Sequence, residues 1–151
     1  MGTGEHRAVT EEDPYDLERF VAAQDQGGTY DHALDELRRG CKTGHWMWFV
    51  FPQITGLGLS PMSRVFAISS LEEARAYLHH RALGPRLREC TATLLQIDGR
   101  TAEQIFGVTD AMKLRSSMTL FLRAAPGEGL FARVLDRYFA GQADPATDGR
   151  V

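Results

Sequence analysis

Capping residues and glycines recur along this sequence at intervals suited to short amphipathic helices, and that punctuation constrains the fold more than any other feature. Asp13 followed by Pro14 has the form of an N-cap with proline at the first helical position, which predicts a helix through about Asp25. Leu17, Phe20, Val21 and Gln24 share one face of it. Gly27 and Gly28 then break the chain, and residues 30–39 place Ala33, Leu34 and Leu37 at helical spacing before Gly40. Ser70 with Glu73, and Thr101 with Gln104, are capping-box spacings. Leu87, Cys90, Leu94 and Ile97 form one stripe after Pro85. Thr109 is expected to cap a helix from Asp110 to about Ala124, and residues 128–140 form the last helix. The expectation is an all-α, mainly helical fold of about seven helices. It forms a single domain over residues 14–142, between a disordered tail at 1–13 and another at 143–151.

A chain of 151 residues with 43% hydrophobic and 25% charged residues has enough apolar material for one core, which excludes a disordered, collagenous or disulfide-framework protein. A net charge of −3 disfavours nucleic acid and anionic lipid as partners. The run at residues 46–51 is far shorter than the roughly 20 apolar residues a bilayer requires, so no membrane partner is expected. With no apolar leader at the N-terminus, the cytoplasm is the expected location. Cys41 and Cys90 lack CxxC spacing and read most simply as reduced thiols, with a single bridge left open. No metal is expected, since His79 and His80 are adjacent on a helix and no HExxH or CxxC accompanies them. The oligomeric state is not legible.

The exception to helical periodicity is HWMWFVFPQ, residues 45–53, which holds both tryptophans. Its geometry is ambiguous between a buried strand, a short helix and an extended segment, and residues 54–63 should be a loop. The run reads either as core, largely buried, or as an aromatic wall in which Trp46 or Trp48 stacks a ring and His45 or Gln53 bonds its edge. On the first helix, Glu18, Arg19 and Gln24 read as a solvated face. On the later helix, Asp110, Lys113 and Ser117 lie at i, i+3 and i+7. They form either a salt-bridged surface strip or, with Thr109, Arg115 and Ser116, an anion site at a helix N-terminus.

Four strings carry a resemblance. DLERFVAAQ from Asp16, HWMWFVFPQ from His45, LGPRL from Leu83 and D-x-x-K-x-x-S-S-M-T-L-F from Asp110 together resemble the domain-of-unknown-function 1810 family, whose name carries no activity and whose members are mainly helical. The sequence departs from that pattern at Cys41, Thr43, Val65 and Phe66. Asp16 to Asp25 also resembles the T-V-E-H-x-Y-Q-A-x-K helix of the NADAR superfamily, named for NAD and ADP-ribose. Glu18 falls on the motif glutamate and Ala23 on its alanine, while Ala22 replaces the glutamine and Asp25 the lysine. This second resemblance implies an N-glycosidase that cleaves a ribosyl C–N bond in a nucleotide-like ligand. Glu18 or Asp110 would stabilise the oxocarbenium, Trp46 or Trp48 would stack the base, and Lys113, Arg115, Ser116 and Ser117 would hold phosphate. Gln24, His45 and Gln53 complete the expected ligand contacts, and no redox cofactor or metal is required. A non-catalytic nucleotide- or protein-binding module is the alternative.

Overall fold

The computed structural model describes residues 12–151 and is mainly helical, with no strand among them. The tail expected at 1–13 falls almost wholly outside the described residues. α1 spans Glu18–Asp25, later than expected. Asp13 does cap it, but from a distance, its carboxylate accepting from the amides of Leu17 (2.7 Å) and Glu18 (3.0 Å) across a turn in which Asp16 has φ 51°. A 3-10 turn, Gln26–Gly28, leads into α2 (Thr29–Arg38), which buries Ala33, Leu34 and Leu37.

The ambiguous aromatic segment is one helical turn, α3 (Met47–Val50), followed by extended chain in which Ile54 pairs with Ile68 in an isolated parallel bridge. The expected loop at 54–63 runs into α4 (Pro61–Val65), because Ser60 accepts from the amide of Ser63 and Pro61 sits at the first position. α5 (Leu71–His79) starts at the Ser70 cap, and α6 (Leu83–Leu94) carries the stripe of Leu87, Cys90 and Leu94. α7 (Ala102–Phe106) opens on the full capping box of Thr101 and Gln104. α8 (Val108–Ala124) does not start at a Thr109 cap: its N-cap is Gly107, at φ 81° and ψ 165°, without a side-chain hydrogen bond. α9 spans Gly129–Phe139 and α10 Pro145–Asp148. The three short helices α3, α4 and α10 account for the excess over seven.

α8 is the central element, packing against α5, α7, α9 and α10, and it is buried all round over residues 116–121. Phe121 on it meets Phe131 of α9 and Tyr77 of α5, and Tyr77 packs edge to face on Phe20 of α1 at 5.1 Å. The trailing segment is not a tail. Arg115 of α8 donates to the carbonyls of Gln142 (2.9 Å) and Ala143 (2.7 Å), and Thr147 is fully buried. Arg123 clasps Asp148 at 2.8 and 3.0 Å. These long-range bonds give residues 142–148 the tertiary partners that local periodicity does not reveal. Cys41 and Cys90 are both free thiols. Among the described residues, no helix is long and apolar enough to cross a membrane.

Candidate functional site

Residues 46–51 are mostly buried, with Trp46, Met47, Phe49, Val50 and Phe51 in the core and Trp48 half-buried. Helical spacing at α3 turns Trp46 and Trp48 to different neighbours. Trp46 donates its indole N–H to Glu36 Oε1 at 2.9 Å, and the same oxygen accepts from the amides of Thr43 (2.8 Å) and Gly44 (2.9 Å). Burial pushes the Glu36 carboxyl up. The amides of Gly44 and Thr43 and the indole outweigh that effect and hold it below its ordinary value. A side chain at residue 44 would not fit, since its Cβ would stand 2.9 Å from Trp46 Cδ1.

Asp110, in the first turn of α8, links the two tryptophans through two lysines. Its Oδ2 is 2.8 Å from Lys42 Nζ and its Oδ1 is 3.6 Å from Lys113 Nζ. Lys42 Nζ lies 5.0 Å from the centre of the Trp46 ring, and Lys113 Nζ lies 5.1 Å from that of Trp48. Lys42 also donates to the Gly44 carbonyl and is only 7% exposed, whereas Lys113 is 22% exposed.

Lys113 borders a cleft of about 310 Å³ along α8. Thr109, Met112 and Ser116 continue its helical wall, with Gln53, Leu57 and Gly58 facing them and Asp144 and Ala146 closing one end. Met112 (67% exposed) and Val108 (68%) leave apolar surface at the first turns of this helix. With glycine at its N-cap, α8 has no side-chain hydrogen bond from that position to its first amides. Ser116 donates to Asp144 Oδ2 at 2.7 Å, and Thr147 donates to the same oxygen at 2.6 Å. Burial raises the Asp144 carboxyl, but those hydroxyls and the amides of Ala146 and Thr147 prevail and hold it below its ordinary value.

Of the expected site residues, Gln53, Lys113, Arg115 and Ser116 line this cleft, and Asp110 stands behind Lys113. The others are placed differently. Glu18 is exposed on α1 and lines a second cleft, of about 470 Å³, with Tyr15, Leu17 and His79. Gln24 is not a ligand contact or part of a solvated face. Its amide is committed in the core, donating to the Phe49 carbonyl (2.8 Å) and Tyr77 hydroxyl (3.2 Å) and accepting from Arg86. Trp46 is enclosed, its face taken by Lys42, and Trp48 is covered by Lys113 rather than open to the cleft. His45 is exposed and lines neither cleft. Ser117 is fully buried, its hydroxyl without a partner. Arg115 lines the cleft, but two of its guanidinium nitrogens already serve the Gln142 and Ala143 carbonyls.

Asp144 is the polar residue that sequence reasoning missed. The available signal was Asp144 followed by Pro145, the same cap signature read at Asp13 and Pro14.

The sequence matches the family described as "Protein of unknown function (DUF1810)" over residues 14–151. Among solved structures, it is similar to a conserved hypothetical protein, Rv1873, from Mycobacterium tuberculosis, at 53% identity and a TM-score of 0.88, covering 91% of this chain and 96% of that one. No curated protein matches.

Proposed function

This chain belongs to the DUF1810 family, and from that premise we propose that it binds a compact, nucleotide-related small molecule in the cleft along α8. One observation carries this reading: Thr109 in the first turn of α8 and the Lys113 ammonium line the same cleft as the apolar Leu57 and Met112. An ammonium within the first two turns of a helix favours an anion, while the apolar wall suits a ring. The volume, about 310 Å³, lies at the small end of ligand sites and suits a mononucleotide better than a dinucleotide. Such a ligand and two unbridged cysteines fit a cytoplasmic setting. The test is calorimetric titration with AMP and ADP-ribose. Binding that Lys113→Ala weakens supports the reading, and no heat from either ligand rejects it.

A second reading keeps the NADAR likeness and makes the protein an N-glycosidase, with Asp110 in the role first given to Glu18. The observation in its favour is the ion pair of Asp110 with Lys113, which brings a carboxylate to the edge of the cleft. In that chemistry the ribosyl C–N bond breaks with its electron pair leaving on the base. The carboxylate stabilises the oxocarbenium, and water adds to the ribosyl carbon as it loses a proton. Release of free base by the native protein and its loss in Asp110→Asn would select this reading. A native protein that binds AMP and releases nothing would select the binding module.

A further inference from the structure

The α8 cleft carries the Lys113 ammonium toward one end and the Asp144 carboxylate at the other, where Arg115, tied to the Gln142 and Ala143 carbonyls, also lines it. Thr109, Met112, Lys113 and Ser116 line it, and the helix rises about 10 Å between Thr109 and Ser116 at about 1.5 Å per residue. The Thr109 end holds the Lys113 ammonium. The Ser116 end holds Asp144, whose partners are hydroxyls and amides rather than a cation. Its Oδ2 accepts from Ser116 and Thr147, while the Ala146 amide reaches Oδ1 at a long 3.3 Å and the Thr147 amide also acts on the carboxylate, so that Oδ1 is the less firmly committed of the two oxygens. Leu57 and Met112 supply the apolar lining.

Resting on the binding reading above, we infer that this cleft selects a nucleoside monophosphate whose base presents an amino group to Asp144 Oδ1 while its phosphate lies toward Lys113. A 6-aminopurine donates to the carboxylate. A 6-oxopurine held in the same pose sets a carbonyl lone pair against it, and it must shift to offer its N1–H instead, so it binds more weakly. The hydrogen bonds that keep Asp144 ionised also keep it from becoming a donor to the oxo group. Asp144 is thus the specificity-determining residue of the site, and the chain segment that carries it is part of the site's recognition surface.

The experiment is calorimetric titration of the full chain with AMP and IMP. AMP should bind about tenfold or more tightly than IMP. Asp144→Asn, whose amide donates as well as accepts, should erase or reverse that ratio while its melting curve shows a folded protein. N6,N6-dimethyl-AMP, which lacks the donor, tests the native protein without any substitution and should lose the same factor. Equal affinity for AMP and IMP, dimethyl-AMP as tight as AMP, or an unchanged ratio in folded Asp144→Asn would each overturn the amino selection and leave the cleft as a nucleotide site. Failure of both AMP and IMP to bind would overturn the selection and the binding reading together.

Discussion

Trp46 and Trp48 stand two residues apart, each beneath a lysine, and both lysines reach the carboxylate of Asp110. At the Trp46 end the polar groups are matched: the indole N–H has Glu36, and Lys42 has Asp110 and the Gly44 carbonyl. At the Trp48 end they are not. The indole N–H is buried without a partner, the pair from Lys113 to Asp110 is long at 3.6 Å, and Lys113 faces the cleft. A closed set of partners fixes a fold, whereas an open set leaves interaction capacity for something from outside. The same residue types therefore close on one another at one end and leave an ammonium facing a cleft at the other.

The largest test of that contrast is Glu36→Ala. It strands the buried Trp46 indole N–H and the part-buried amides of Thr43 and Gly44 and should cost about 2–3 kcal/mol of stability in urea unfolding, by the scale of unsatisfied donors. A loss well under 1 kcal/mol would show that the Trp46 end is not closed. Next, Lys113→Ala should lower AMP affinity ten- to a hundredfold, about 1.5–3 kcal/mol, while its unfolding midpoint stays near native. If stability falls as it does for Glu36→Ala, the two ends are alike and the contrast fails.

The paired substitutions Trp46→Phe and Trp48→Phe separate the two ends more finely. The first removes a donor from a buried carboxylate and should cost about 1–2 kcal/mol beyond the second, which removes an N–H that has no partner. Equal costs would mean that the Trp48 indole N–H is satisfied after all. The smallest effect is acid dependence. Glu36 is held below its ordinary value of 4.5, so its contribution is full above that pH and disappears as pH falls through the lower folded value. Asp144 and Asp148 act in the same direction. Stability measured between pH 6 and pH 3 should therefore fall on acidification, and less steeply in Glu36→Gln.

Helices whose start signals are local were legible in the sequence: Ser70 and Thr101 cap α5 and α7 as their spacing predicts, and Gly27, Gly28 and Gly40 break the chain at positive φ. The failures have tertiary causes. Thr109 looks like a cap, but Gly107 takes the position, with Val108 opening the helix ahead of Thr109. Asp13 caps across a turn because Asp16 adopts a left-handed conformation that no pattern announces. Gln24 reads as surface from its polarity although its spacing sets it on the face of Leu17, Phe20 and Val21, and the partners that satisfy its amide there, Phe49, Tyr77 and Arg86, come from three other parts of the chain. The strip from Asp110 through Ser116 was legible as a candidate anion site because its spacing lies within one helix. Asp144 was not, because its meeting with Ser116 joins residues 28 apart.

That meeting bears on how the molecule would be attacked by a protease. Arg115, Ser116, Thr119 and Arg123 hold residues 142–148 along successive turns of α8. Cleavage needs a backbone that can leave its bonds and extend into the enzyme, so nicking this segment requires releasing several of those anchors together. The rate of such nicking would report the local opening of the α8 surface, and a ligand held between Lys113 and Asp144 would slow it by binding the closed state.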